Sequence, residues 1–284
     1  MRPHGWLGLG IILVAEVLLF SGNAVIGRWF TPIVWTGYLL LVDAWLFRLT
    51  ERSYLTTHRL DGVFVALVSI IGWWLFELYN APRFWRGGQD AVGIWWRYHQ
   101  MEPNFFLRRV GYDWSFATIF PALFLTAAAL RASVFARVRI RPWAPSPTAM
   151  LLIVWIGAVG AALPLLVPSV WLVPLVWTGL VLVLEPLNAR AGRPSWLADL
   201  ARGDASRLVS LIVAGAICGV LWEFWNYWAI TKWTYTVPTA YLGHVKVFEM
   251  PVIGYLGFLP FALECYAMYH WARGVLNARG PVVI

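Results

Sequence analysis

Long apolar runs recur along the chain at 6–26, 32–47, 62–79, 111–130, 149–167, 171–187, 208–228 and 250–271, each about long enough to cross a hydrocarbon layer. Within them apolar positions are continuous and show no period-two alternation, which predicts helices rather than the strands of a closed barrel. The polar intervals are short and carry turn formers, except for two longer stretches at 81–110 and 229–249. The first run, with Arg2, an apolar centre and small residues at 22–24, also has the outline of a signal peptide. An internal repeat argues that it belongs to the folded chain.

That repeat pairs Trp29-Phe-Thr-Pro32-Ile-Val-Trp35-Thr-Gly37 with Trp171-Leu-Val-Pro174-Leu-Val-Trp177-Thr-Gly179, six identities at an offset of 142. An acid follows each copy, Asp43 and Glu185. Further on, Glu77-Leu-Tyr-Asn80 matches Glu223-Phe-Trp-Asn226, with Glu and Asn three residues apart on one helix face. The expected organisation is an all-α polytopic membrane protein of about eight transmembrane helices. A first four-helix repeat at 1–131 and a second at 148–284 are joined by a basic, proline-rich linker at 132–147. An even number of spans returns the chain to its starting side, so the two units are expected to run parallel, as in one class of duplicated transporters.

Composition agrees: 60% hydrophobic residues, 13% charged, mean hydropathy +0.66, where soluble domains carry about 25% charge. An ordinary soluble enzyme and a disordered chain are excluded. Of 22 basic residues, fourteen arginines fall on the side of the two termini and eight basic residues on the other. The net charge of +8 is therefore read as topological, with both termini cytoplasmic, and not as a nucleic-acid surface. Cys218 and Cys265 form no disulfide or zinc spacing. The five histidines fall in loops or at segment ends, which excludes haem pairs between helices. No cofactor and no bound metal are expected. The outer stretches are rich in aromatics such as Trp85, Trp95, Trp96, Tyr98, Trp233, Tyr235 and Tyr241. They suit either an aromatic belt at the headgroups or a lid over a cavity.

Seven acids fall in or beside apolar runs: Glu16, Asp43, Glu77, Asp113, Glu185, Glu223 and Glu264. A charged carboxylate at membrane depth costs about 2.5–3.5 kcal/mol on insertion scales, so an unpaired one is more cheaply buried protonated, as a proton donor. Asp43 and Glu185 suit structural hydrogen bonds to a neighbouring helix, Asp113 suits a helix N-terminus, and Glu16 has no evident partner. Glu77 and Glu223 suit pairing of the repeats or function equally. Glu264, mid-run, is the acid least explained by packing. There is no magnesium–diphosphate motif, nucleotide loop or nucleophile elbow.

Trp222-Glu223-Phe224-Trp225-Asn226-Tyr227 through Trp233-Thr-Tyr235, then Gly254-Tyr-Leu-Gly257-Phe-Leu259-Pro260-Phe-Ala-Leu-Glu264, resembles the lycopene cyclase domain of membrane carotenoid cyclases over about 60 residues. It is also similar, at the Trp-Glu-Phe helix end, to integral-membrane terpene cyclases. In the former family the acids follow the proline by two and three residues; Glu264 follows Pro260 by four. Phe120-Pro121-Ala-Leu-Phe124 in the first half carries no acid, and the repeat unit here has four spans rather than three. The resemblance implies a redox-neutral cyclisation of a polyprene, in which a carboxylic acid protonates an alkene, aromatic faces stabilise the cation and a carboxylate removes a proton. On it, Glu264, Glu223 and Glu77 are the candidate catalytic acids. Trp222, Trp225, Asn226, Tyr227, Trp233, Tyr235, Asn80 and Trp74 are the candidate substrate-binding residues for an apolar small molecule taken from the bilayer. A proton-coupled transporter and a non-catalytic lipid- or pigment-binding subunit are the alternatives.

Overall fold

A computed structural model describes residues 1–81, 93–238, 240 and 242–284. Of the aromatic residues named above, Trp85 and Tyr241 lie outside the described residues, as do Arg83 and Arg86 among the eight basic residues counted on the side away from the termini. The elements are α1 (Pro3–Phe20), α2 (Ala24–Thr50), α3 (Arg59–Asn80), β1 (Trp96–His99), α4 (Phe105–Ala132), α5 (Pro147–Leu166), the short α6 (Val173–Val176), α7 (Gly179–Arg190), α8 (Trp196–Ala201), α9 (Ser206–Trp228), β2 (Lys232–Tyr235), β3 (Lys246–Val247), β4 (Met250–Pro251) and α10 (Phe258–Val275). Among the described residues eight helical segments are long and apolar enough to span a membrane, α6 and α7 together forming one of them.

Several boundaries differ from the apolar runs, those of α1 and α10 with a structural reason. α1 ends at Phe20, and a turn at 21–23 lets the Asn23 side chain cap α2 by accepting from the Ile26 amide, so residues 24–31 open α2 rather than close α1. The last run begins as a 3₁₀ segment over Val252–Gly257 before α10 starts. His270 lies inside α10, buried between the rings of Tyr266 and Tyr269, and not at a segment end as read from the sequence; α10 runs four residues past the apolar run.

The helices pair alike in the two halves: α1 with α2 and α5 with α7, α3 with α4 and α9 with α10, α2 with α4 and α7 with α10. α4 also packs along α9, so both halves share a core that buries Trp35, Phe76, Phe120, Phe124, Tyr266 and Tyr269. In lipid, helices associate through close packing, because burying apolar surface from lipid gains little. Two glycine contacts supply that packing. A Cβ on Gly37 would lie 2.8 Å from the Gly8 carbonyl oxygen, and one on Gly157 would lie 2.9 Å from the Gly179 carbonyl oxygen.

Asp43 and Glu185 anchor the turns that follow their own helices, and Asp43 also meets His4 of the neighbouring α1. Asp43 accepts from Ser53 Oγ at 2.5 Å and the Tyr54 amide at 2.7 Å, with His4 Nε2 at 3.2 Å. Glu185 accepts from Ser195 Oγ at 2.6 Å and the Leu197 amide at 3.0 Å. Each acid precedes its serine by ten residues. At the same end Asp61 accepts from Arg273 at 2.9 Å, from the Val283 amide at 3.0 Å and from the Tyr269 hydroxyl. The linker pairs with the start of α9 through Ile140–Gly203 and Val138–Ala205 backbone bonds.

Candidate functional site

At the opposite end, α3 and α9 finish in the same polar device. Glu77, in the last turn of α3, accepts at one oxygen from Trp73 Nε1 (2.9 Å), Trp96 Nε1 (3.0 Å) and the Tyr98 hydroxyl (2.5 Å). One turn on, Asn80 accepts from the Trp95 and Trp96 amides and donates to the Trp96 carbonyl, at 2.9, 3.2 and 2.9 Å. In α9, Glu223 accepts from the Tyr235 hydroxyl at 2.7 Å, and that hydroxyl in turn accepts from Trp233 Nε1 at 2.6 Å. Asn226 accepts from the Trp233 amide at 2.9 Å and donates to the Trp233 carbonyl at 2.8 Å. Both helices therefore end in Glu-x-x-Asn, and both following strands read Trp-x-Tyr, 96–98 and 233–235. The strands pair antiparallel, Trp96 opposite Tyr235 and Tyr98 opposite Trp233, which is the arrangement a twofold relation between the halves produces.

This ribbon closes a cavity of about 180 Å³ between the halves. Trp35 from the first half packs on Trp222 of the second with ring centroids 5.0 Å apart. Trp177, 142 residues after Trp35, packs on Phe76 of the first at 5.3 Å. Trp73, Trp96, Tyr98, Tyr235 and Phe261 are among the other aromatic side chains of the lining. Ser115 and Thr118, also on the wall, donate to carbonyls of their own helix, Gly111 and Ser115, at 2.8 and 2.7 Å, which leaves that wall poor in groups to solvate a polar guest. Burial, and after it the carboxylates Glu77 and Glu223, push the Tyr98 and Tyr235 hydroxyls well above 10.0. Both stay neutral donors.

Of the residues picked from the sequence, Trp222, Trp233 and Tyr235 line the cavity. Glu77 and Glu223 stand behind it, each reaching a lining tyrosine, and the two asparagines hold the ribbon from below. The remaining aromatics serve other contacts. Trp225 Nε1 donates to Glu16 at 3.0 Å, giving that acid the partner the sequence did not reveal. Trp74 Nε1 donates to Asp113 at 2.7 Å. Tyr227 is partly exposed against Phe248.

Glu264 lies apart from the cavity lining. It is fully buried and accepts from the Leu180 amide at 2.9 Å, at the first turn of α7. The carboxyl thus satisfies an amide that the break between α6 and α7 leaves without a helical carbonyl. That is a packing role for the acid that the sequence marked as least explained by packing. The second carboxyl oxygens of Glu264 and Glu223 have no hydrogen-bond partner among the described residues.

Lining residues that the sequence did not single out as binding residues include Trp35, Trp73, Trp96, Tyr98, Trp177 and Phe261, of which Trp96 and Tyr98 were read only as part of an aromatic belt or lid. For four of them a signal existed: Trp35 and Trp177 belong to the 142-residue repeat, and Trp96 and Tyr98 recur as Trp233 and Tyr235. A comparison with protein-family models, curated proteins and solved structures finds no match to this chain.

Proposed function

We propose that the protein binds an apolar, isoprenoid-type small molecule from the bilayer in the cavity beneath the β1–β2 ribbon. The observation that carries this reading is the lining, aromatic faces from both halves with the wall hydroxyls of Ser115 and Thr118 already bonded. Such a lining suits a ligand held by dispersion and ring contacts, and suits an ion or proton path poorly. The fourteen arginines at the end that holds Asp61 and the linker, against eight basic residues at the ribbon end, support a cytoplasmic position for both termini.

A second reading, redox-neutral cyclisation, is favoured by one arrangement. Glu77 and Glu223 each stand one tyrosine hydroxyl from the cavity, in matching positions of the two halves. In that reading one carboxylic acid supplies a proton to an alkene through its tyrosine. The faces of Trp35, Trp96 and Trp177 stabilise the cation, and the other carboxylate accepts the proton released. The high pKa of the tyrosines makes them poor acids, so binding stands first.

The test is expression in cells that accumulate lycopene and other linear polyprenes, with Glu77→Gln and Glu223→Gln alongside. A polyprene that co-purifies with the wild type and both variants is the result expected. New cyclic products that disappear in either variant establish cyclisation. Folded protein without any bound apolar molecule overturns the reading.

A further inference from the structure

Among the described residues, the charged side chains that line the cavity, Arg28, Glu102 and Arg108, all come from the first half and mark a polar mouth there. Two helix stripes lead from it to the aromatic floor. On α2 the lining runs Arg28, Thr31, Pro32, Trp35; on α4 it runs Arg108, Gly111, Tyr112, Ser115, Ile119. The spacing of three and four residues keeps the α4 stripe on a single helix face; on α2 the kink at Trp29 sets Arg28 just before the helical turn that carries Thr31, Pro32 and Trp35. Each stripe starts with an arginine and ends in a buried apolar side chain: Trp35 is 1% exposed and Ile119 6%. With a rise of about 1.5 Å per residue, the α4 stripe is roughly 16 Å long. Among the described residues the second half brings no cation to the lining: Val170 stands 142 residues after Arg28, and the lining there includes Val173, Val237, Met250 and Gly254, with the uncharged Thr231 and Thr236.

The charges at the mouth do not cancel. Arg28 Nη1 meets Glu102 Oε2 at 3.3 Å. Arg108 donates to the Glu102 backbone carbonyl at 3.2 Å and has no carboxylate partner among the described residues. Neighbouring Arg109 is taken by Asp113 at 2.8 Å and lies over the Trp74 ring. Two guanidinium groups thus share one carboxylate at the opening of an otherwise apolar pocket, with donor positions left over for an oxyanion.

Resting on the binding reading above, we infer that the ligand is an amphiphile: a single isoprenoid-type chain in the aromatic cavity, with an anionic phosphate-type head at Arg28 and Arg108. The chain end enters between α2 and α4, and the head stays at the membrane surface where both arginines sit. The one-sided mouth gives the ligand a single orientation, although the two halves repeat.

The test compares geranylgeranyl monophosphate with geranylgeraniol, which shares the chain and lacks the charge. Quenching of tryptophan fluorescence is read with the full-length protein in phosphatidylcholine nanodiscs. The phosphate is expected to bind about tenfold tighter than the alcohol at low salt, with the gap narrowing as salt rises. Arg108→Gln, and separately Arg28→Gln, should shrink the preference to about twofold, chiefly by weakening the phosphate, with thermal midpoints showing that the variants fold. Equal affinity of the two ligands for the wild type overturns the inference and leaves the apolar cavity standing. Failure of both to bind overturns the cavity reading and the inference together. Displacement of the monophosphate by inorganic phosphate alone, or as strongly by dioleoyl phosphatidic acid, assigns the mouth to free phosphate or a bulk lipid headgroup, and overturns the single-chain ligand.

Discussion

The two halves carry the same text, Val-Trp-Thr-Gly, at 34–37 and 176–179, and fold it differently. In the first half it lies within the helical stretch of α2 that follows a kink at Trp29. In the second it separates α6 from α7, with Trp177 and Thr178 between them. The local chemistry up to the break is alike: Thr36 and Thr178 both donate to the carbonyl four residues back, at Pro32 and Pro174 (2.7 and 2.8 Å). The partner helix is what differs. Tyr38 reaches Thr126 of α4 through its hydroxyl at 2.7 Å, whereas Leu180, 142 residues later, gives its backbone amide to Glu264 of α10. A carboxylate at the break replaces the missing helical acceptor, while a threonine opposite an intact helix needs only a side-chain contact. The halves also differ at the cavity, where among the described residues only the first brings cations. The ribbon anchors, Glu-x-x-Asn with Trp-x-Tyr, are shared. The repeat therefore holds the scaffold in common and differs at the helix facing the cavity and at the mouth.

The largest expected effect probes the shared anchors. Asn80→Ala orphans three backbone groups of Trp95 and Trp96 and should cost about 2–4 kcal/mol, whereas Asn226→Ala orphans two at Trp233 and should cost about 2–3 kcal/mol. Thermal midpoints in detergent measure both, and a negligible loss in either would break the equivalence of the halves. Next, Glu264→Ala should cost about 1–3 kcal/mol by exposing the unpaired Leu180 amide in the core, while Thr126→Val, its counterpart, should cost about 0.5–1.5 kcal/mol. Glu264→Gln keeps an acceptor for Leu180 and should fall under about 1 kcal/mol with ligand binding unchanged; abolished binding in that variant would count against a capping role.

The smallest effect is alkaline. The Tyr98 and Tyr235 hydroxyls are raised above 10.0 in the fold, chiefly by burial. Their stabilisation is complete below the unfolded value and is lost only as pH rises through the higher folded values. The ribbon should thus hold unchanged across neutral pH and loosen in strong alkali. Tyrosinate absorbance at high pH, compared with Tyr98→Phe, should show one late-titrating hydroxyl fewer.

Eight spans, their helical character and the recurrence of Glu77-x-x-Asn80 as Glu223-x-x-Asn226 were legible, because length and continuous hydropathy leave few alternatives in lipid. The Trp-x-Tyr recurrence at an offset of 137, and the ten-residue interval from Asp43 to Ser53 and from Glu185 to Ser195, were also present in the text. The first lies in the two longer polar stretches and the second ends in short ones, where no hydrophobic period draws attention. The role of Glu264 was not legible. It depends on a helix break 84 residues away, at a motif that stays helical in the first half, so tertiary context decides it. Trp74 and Trp225 were misassigned to substrate for a related reason: an indole beside an acid in sequence gives no sign of whether its N–H faces a cavity or a carboxylate on another helix.

The most direct measurement concerns the cavity itself. Ser115→Phe places a ring into the space beneath the ribbon without removing a core side chain. Apolar molecules extracted from the purified wild type and from this variant can be counted by mass spectrometry, with thermal midpoints confirming that both are folded. The account predicts about one bound molecule per wild-type chain and little or none in Ser115→Phe. Equal occupancy in two folded proteins would contradict it.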